Sequence, residues 1–118
     1  MKTAKENLKN CYAIKIGYKE NDRFIAWVYL YVLKNDLHRE PFGLLENVFV
    51  EEQYRSKGLG TKLVKRAIAE AKKIGCYKLI ATSRTTKTDL HNFYERMSFK
   101  KWGLEFRINY TKDPANKC

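Results

Sequence analysis

The sequence predicts an α/β (α+β) protein built on a mixed, mostly antiparallel sheet with a central βαβ crossover. Three observations carry this. Residues 11–18 and 23–33 are strand-patterned runs separated by a short polar turn at 19–22, which reads as a hairpin. Residues 42–50 form a third such run, and a glycine-containing turn joins it to a helical pattern that starts at Gly60 or Thr61. An apolar run at 77–82 follows that helix. Strand, helix and strand in succession make a right-handed crossover between parallel neighbours.

Each element has its own signature. Residues 1–10 read as a frayed helical turn or a tail. In 11–18, Tyr12, Ile14, Ile16 and Tyr18 alternate with Lys15 and Gly17, the period-two pattern of a half-buried strand. Residues 23–33 are apolar or aromatic on both faces, as expected of a central strand covered on two sides. On simple alternation, residues 42–50 place Glu46 on one face with Leu44, Val48 and Val50, and Asn47 on the other. The helix to about Ile74 buries Leu63, Val64, Ala67, Ile68, Ala71 and Ile74 and exposes Lys62, Lys65, Arg66, Glu70 and Lys73. Gly75 is its natural stop. After the 77–82 strand, Thr88 or Asp89 caps a short helix over 90–97. Residues 99–102 and 104–110 read as closing strands hinged at Gly103, and 113–118 as a mobile tail containing Pro114.

Composition limits the remaining classes. At 118 residues, 44% hydrophobic and 14% aromatic, the chain suits one domain spanning 1–118. No apolar run approaches the roughly 20 residues of a membrane span. The polar, lysine-rich start lacks the apolar core of a signal peptide, so a cytoplasmic location is expected. Cys11, Cys76 and Cys118 are odd in number and widely spaced, and His38 and His91 are isolated. That pattern argues against a disulfide framework or a metal site. The net charge of +11 favours anionic partners or a merely soluble basic surface. No basic block or recognition motif concentrates it, which argues against a nucleic-acid-binding protein.

The chemistry concentrates in residues 46–61. A strand ends, and Arg55-Ser56-Lys57-Gly58-Leu59-Gly60 leads straight into a helix. Helix-start N–H groups lack intrahelical partners and sit at the positive end of the dipole. Gly58 and Gly60 let a ligand approach the backbone. The combination suits a phosphate-bearing anion. It is neither a Walker loop nor a dinucleotide fingerprint, because the residues those motifs require are absent. An ordinary strand-to-helix turn is the alternative reading.

Arg55, Gly58 and Gly60 fill the three fixed positions of Arg/Gln-x-x-Gly-x-Gly/Ala, placed after a strand and before a helix. Downstream, Phe93-Tyr94-Glu95-Arg96-Met97-Ser98-Phe99 matches Phe-Tyr-Glu-x-x-Gly-Phe except at Ser98. In these two motifs the chain resembles the GNAT superfamily of N-acetyltransferases, over roughly residues 12–108. The resemblance implies a GNAT-like acyl-CoA N-acyltransferase fold with acetyl-CoA as donor, beside the expectation from Cys and His that no metal is bound. It implies that the backbone of Arg55, Ser56, Lys57, Gly58, Leu59, Gly60 and Thr61 holds the CoA pyrophosphate. Arg55 and Lys57 are placed to add charge-assisted contacts. Val48, Phe49 and Val50 would bond the pantetheine arm where their strand splays from the 77–82 strand.

Tyr94 matches the family tyrosine that protonates the departing CoA thiolate; otherwise it is part of its helix's buried face. Glu46 is the candidate base, since an amine acceptor of pKa near 10 must lose a proton before attack. The alternatives for Glu46 are an exposed residue or an ion-pair partner. His91 reads as a surface or capping residue. Cys76 lies at the far end of the helix from the glycine turn and does not read as a nucleophile.

Most members of the superfamily carry a strand and two helices before the hairpin, and here about ten residues precede Cys11. The acceptor site is therefore expected to be open or finished by a second subunit, as in a homodimer, with Trp27, Tyr29, Tyr31 and Trp102 as contact surface. An open site favours a peptide or protein amine over a small buried one. The functional expectation is an N-acetyltransferase acting on a primary amine. A CoA-binding regulatory module with little turnover is the alternative.

Overall fold

The first hairpin is fixed by its turn. Asn21 and Asp22 adopt left-handed φ values of 51° and 62°, the type I′ geometry whose twist matches that of paired strands. β1 (Tyr12–Glu20) and β2 (Arg23–Leu33) flank this turn as antiparallel neighbours, with Ile14 opposite Leu30. The structure is a computed structural model that describes residues 1–112. The tail expected at 113–118 lies outside the described residues. Residues 1–11 form neither helix nor strand and are exposed.

β3 (Phe42–Val50) pairs antiparallel with the other side of β2, and β4 (Leu79–Ala81) completes the order β1-β2-β3-β4. Tyr77 N–H donates to Pro41 O at 3.0 Å and Gly43 N–H to Lys78 O at 2.9 Å. These bonds climb both segments in the same direction, so β4 enters parallel to β3. The expected mixed sheet and crossover are present, and β4 is shorter than the 77–82 run.

α1 (Leu59–Ile74) makes the crossover. Its stripe of Leu63, Val64, Ala67 and Ala71 is buried against Ala26, Val28, Leu30, Val32 and Leu45 of the sheet. Burying one such aliphatic side chain is worth about 1.5–3 kcal/mol, so this layer holds the element that carries the glycine turn. Gly75 ends the helix at φ 95°, with Gly75 N–H bonded to Lys72 O and Cys76 N–H to Ala71 O. That is a Schellman stop.

β2 is not covered equally on its two faces. Ala26, Val28, Leu30 and Val32 are buried under α1, whereas Trp27, Tyr29, Tyr31 and Leu33 are only half-buried. The aromatic face is covered in part by its own side chains. Trp27 stacks on Phe49 at 4.7 Å, and the Lys15 ammonium sits 4.2 Å from the Phe24 ring and 4.7 Å from the Trp27 ring. Cation–π contacts of this kind let one lysine stem lie over several rings.

The chain forms two compact units, Met1–Ile80 and a second that begins at Ala81. In the second, α2 (Thr88–Arg96) starts slightly earlier than expected. Its N-cap is Lys87, with no side-chain cap from Thr88 or Asp89. His91 Nε2 lies 2.8 Å from the carbonyl of Arg84. It therefore donates there and ties the 84–87 turn to the helix, the structural role expected of it. The closing strands expected at 99–102 and 104–110 do not form; 99–109 is neither helix nor strand. Alternation specifies which residues share a face, but a strand also needs a neighbour to bond.

Candidate functional site

The glycine turn is built outward from the end of β3. The pairing of β2 with β3 sets Trp27 opposite Phe49 and Tyr29 opposite Glu46, leaving Asn47 and Val48 against the single residue Val28. This is a β-bulge, and Asn47 absorbs it at φ 55°. The bulge changes which residues share a face. Leu44, Glu46 and Phe49 stand with Tyr31, Tyr29 and Trp27 on the aromatic face, while Val50 joins Leu45 on the helix face. The simple alternation that grouped Glu46 with Val48 and Val50 is corrected by this one extra residue. Asn47 is structural, as expected, because asparagine tolerates the left-handed region better than most residues.

Glu46 is half-buried, in a row with Tyr29 and, across β1, Lys15. Among the described residues it makes no ion pair or side-chain hydrogen bond, so the ion-pair alternative finds no support. A carboxylate beside aromatic rings and without a fixed partner is available to accept a proton.

Beyond Val50 the chain is pinned at several points. Glu51 N–H donates to Ile25 O at 2.9 Å, and its carboxylate pairs with Arg23. That hydrogen bond and charge push the Arg23 guanidinium further up. A 3₁₀ turn (Glu52–Tyr54) follows, and a hydrogen bond to Glu20 raises the Tyr54 phenol above its ordinary value. The ends of the first hairpin thus anchor the turn. Nothing in the sequence pattern pointed to Glu20, Arg23, Glu51 and Tyr54 as its supports.

Arg55 takes a role the sequence did not indicate. Its Nε donates to the carbonyl of Val50 at 2.8 Å, and its guanidinium carbon stands 5.8 Å from the Phe49 ring. The side chain closes the loop onto the last residue of β3, so one of its donors is committed within the fold. Lys57 is exposed, its ammonium 5.8 Å from the Tyr54 ring.

Ser56 and Gly58 then adopt left-handed φ of 64° and 79°. Gly58 is the N-cap of α1, and no side chain caps it. The first helical bond runs from Lys62 N–H to Gly58 O at 3.1 Å, so the N–H groups of Leu59, Gly60 and Thr61 precede the helical ladder. A Cβ built on Gly58 or on Gly60 would meet nothing within 4 Å. At Gly58 the backbone conformation accounts for glycine. At Gly60, which is helical, neither strain nor packing does. A glycine facing open space beside unpaired donors is what close approach by a ligand requires.

The second motif is a clamp on Tyr94. Phe99 N–H donates to Tyr94 O and Ser98 N–H to Glu95 O, each at 3.0 Å, a Schellman stop with Ser98 at φ 76°. The stop folds Phe99 back, so its ring centroid lies 5.3 Å from that of Tyr94, with Phe93 at 5.5 Å on another side. Ser98 thus adopts the backbone of the glycine it replaces, against a cost of about 1–2 kcal/mol. Ser98→Gly is expected to raise stability by about 1 kcal/mol, read as an increase in the urea midpoint at unchanged m-value.

Cys76 follows α1, about 24 Å along the helix from the glycine turn. Burial pushes its thiol up, which disfavours the thiolate a nucleophile needs. Among the described residues no cluster of His, Cys, Asp or Glu could hold a metal ion, and no helix is long and apolar enough to cross a membrane.

A mixed sheet whose third strand runs through a bulge into an uncapped glycine turn and a helix is an arrangement suited to a phosphate-bearing ligand. The chain belongs to the acetyltransferase (GNAT) family, whose model matches residues 3–99. It is 33% identical over 78 residues to N-alpha-acetyltransferase 30 of Xenopus laevis, covering 64% of this chain and 29% of that protein. It is 32% identical over 68 residues to a probable glucosamine 6-phosphate N-acetyltransferase of rice (Oryza sativa subsp. japonica), covering 58% of this chain and 39% of that one. The chain therefore spans well under half the length of these relatives. Among solved structures, a putative acetyltransferase from Agrobacterium tumefaciens superposes with a TM-score of 0.74 at 29% identity, covering 82% of this chain and 68% of that one. The glucosamine-6-phosphate N-acetyltransferase of Arabidopsis thaliana, at 22% identity and a TM-score of 0.70 over 86% of this chain and 68% of that one, shares the fold.

Proposed function

We propose that the protein transfers an acetyl group from acetyl-CoA to a primary amine by direct attack. Gly60 is the observation that carries this reading. It opens the start of α1 to a ligand where the fold itself has no need of glycine. The N–H groups from Arg55 to Thr61 would hold the pyrophosphate, and the exposed Lys57 would add charge. Val48, Phe49 and Val50 would flank the pantetheine arm; the bulge leaves Val48 without a partner on β2.

In the reaction the amine nitrogen forms a bond to the thioester carbonyl carbon as the carbon–sulfur bond breaks. Glu46 takes the proton that the ammonium must lose before attack, directly or through a water; Tyr94 gives a proton to the departing thiolate, and the second proton that the nitrogen loses as the amide forms restores the phenol. The names of the two curated relatives both point to amine acceptors. An acceptor panel should therefore include a peptide α-amine and glucosamine 6-phosphate. Thiol release from acetyl-CoA with any of these supports the proposal. Failure of CoA to raise the unfolding temperature would overturn it, since a ligand that binds only the native state stabilises it. Stabilisation by CoA without turnover across the panel would favour a CoA-binding regulatory module.

Glu46→Gln tests the base. A free amine needs no base, so the variant should be most impaired at neutral pH. Its rate should rise about tenfold per pH unit toward the acceptor pKa near 10, while the parent profile stays flatter. Parallel profiles would remove Glu46 from the mechanism.

A further inference from the structure

Trp102, Leu104, Phe106, Ile108 and Tyr110 are 94%, 76%, 89%, 76% and 91% exposed. Gly103, Glu105, Arg107 and Asn109 alternate with them. Five large apolar side chains at period two form one face of a strand, yet 102–109 belongs to no strand. Arg107 Nε bonds Glu105 Oε2 at 2.5 Å, which fits both lying on the opposite, polar face. An apolar row this long is rarely left in water by a soluble chain.

The order of residues indicates what covers it. The segment is self-complementary about Phe106. When it is laid antiparallel on a second copy with Phe106 opposite Phe106, Glu105 faces Arg107 of the other copy and Arg107 faces its Glu105. Leu104 meets Ile108, Trp102 meets Tyr110 and Gly103 meets Asn109, each pairing occurring twice about a two-fold axis. Neighbouring registers fail. A shift that moves the centre to residue 105 sets Glu105 against Glu105, and one to residue 107 sets Arg107 against Arg107. Like charges directly opposite destabilise a strand pair. A half-step places apolar residues against polar ones. Centred on Phe106, the segment pairs along its whole length and sets Glu105 against Arg107 twice, the self-complementarity that a two-fold interface requires.

We propose that residues 102–110 are a dimerisation strand that pairs antiparallel with the same segment of a second copy, centred on Phe106. The pairing supplies the neighbour that the expected closing strand lacks among the described residues. A two-stranded ribbon is only marginally stable by itself, so the dimer should dissociate on dilution.

Sedimentation velocity over a wide range of concentration tests this on the full chain. The expected result is a reversible monomer–dimer equilibrium. Glu105→Arg and Arg107→Glu each place like charges opposite one another at both symmetric positions, and each should weaken the dimer about tenfold or more. The double variant Glu105→Arg/Arg107→Glu should dimerise like the parent. An equimolar mixture of the two single variants should also recover the dimer, because every cross-strand pair is then of opposite sign. Recovery in the mixture also shows that both single variants are folded. A parent that stays monomeric at all concentrations, as it would if the segment paired within its own chain, overturns the proposal. Single variants that dimerise as well as the parent, or a mixture that fails to recover, overturn it too.

Discussion

Tyr94→Phe is expected to lower the turnover rate by about 10²–10⁴, the range over which a positioned general acid contributes. Without the phenol the thiolate must leave unprotonated or take its proton from water. Stability should change little, because the substitution keeps the ring and with it the edge contacts to Phe93 and Phe99. Losing one hydroxyl hydrogen bond costs about 0.5–1.5 kcal/mol, which bounds the effect on unfolding. CoA should still raise the unfolding temperature, because the proposed donor cradle, Arg55 to Thr61, lies in a different element. The reading of Tyr94 as a buried-face residue makes the opposite prediction. In that case unfolding would register whatever change occurs, and turnover would follow only the folded fraction. A variant that turns over at the parental rate would therefore eliminate the acid role. Tyr94→Ala does not make this distinction, since it removes the ring that Phe99 packs against and would unsettle the helix stop.

What was legible in the sequence depended on how local the cause was. The hairpin, α1 and its stop at Gly75 follow from nearest-neighbour chemistry, so turn residues and period alone located them. The glycine turn was legible for the same reason. Face assignment in β3 was not, because a bulge at Asn47 shifts the parity and leaves no mark in an alternation count. The supports of the turn were hidden too. Arg23 with Glu51 and Glu20 with Tyr54 are contacts between segments distant in sequence. Arg55 looked like a phosphate ligand by charge, while in the structure part of its hydrogen-bonding capacity closes the loop. Residues 104–110 show the converse case. Their strand pattern is plain, yet no strand forms, because hydrogen-bonding partners are a property of the surroundings and not of the segment.

Gly60→Ala is expected to stabilise the free protein and weaken CoA binding at once. Gly60 lies in the first turn of α1 with no left-handed φ, and an added Cβ would meet no protein atom within 4 Å. Glycine in a helix costs roughly 0.5–1 kcal/mol relative to alanine, so the free protein should gain up to about that much. A ligand held by the N–H groups of Gly60 and its neighbours would meet the new methyl group. Its affinity should fall about tenfold or more, equivalent to ~1.4 kcal/mol. The stabilisation that saturating CoA confers should shrink by the same amount. Gly58→Ala provides the contrast. Its φ of 79° makes alanine strained, so the free protein should lose about 1–2 kcal/mol. Urea unfolding with and without CoA reads both quantities for both variants. Opposite signs for the two free proteins, with reduced CoA stabilisation in Gly60→Ala, are the signature of one glycine kept for backbone geometry and one kept for the ligand. If Gly60→Ala retains the full CoA stabilisation, the start of α1 is not where the pyrophosphate is held, and the donor site must be sought elsewhere.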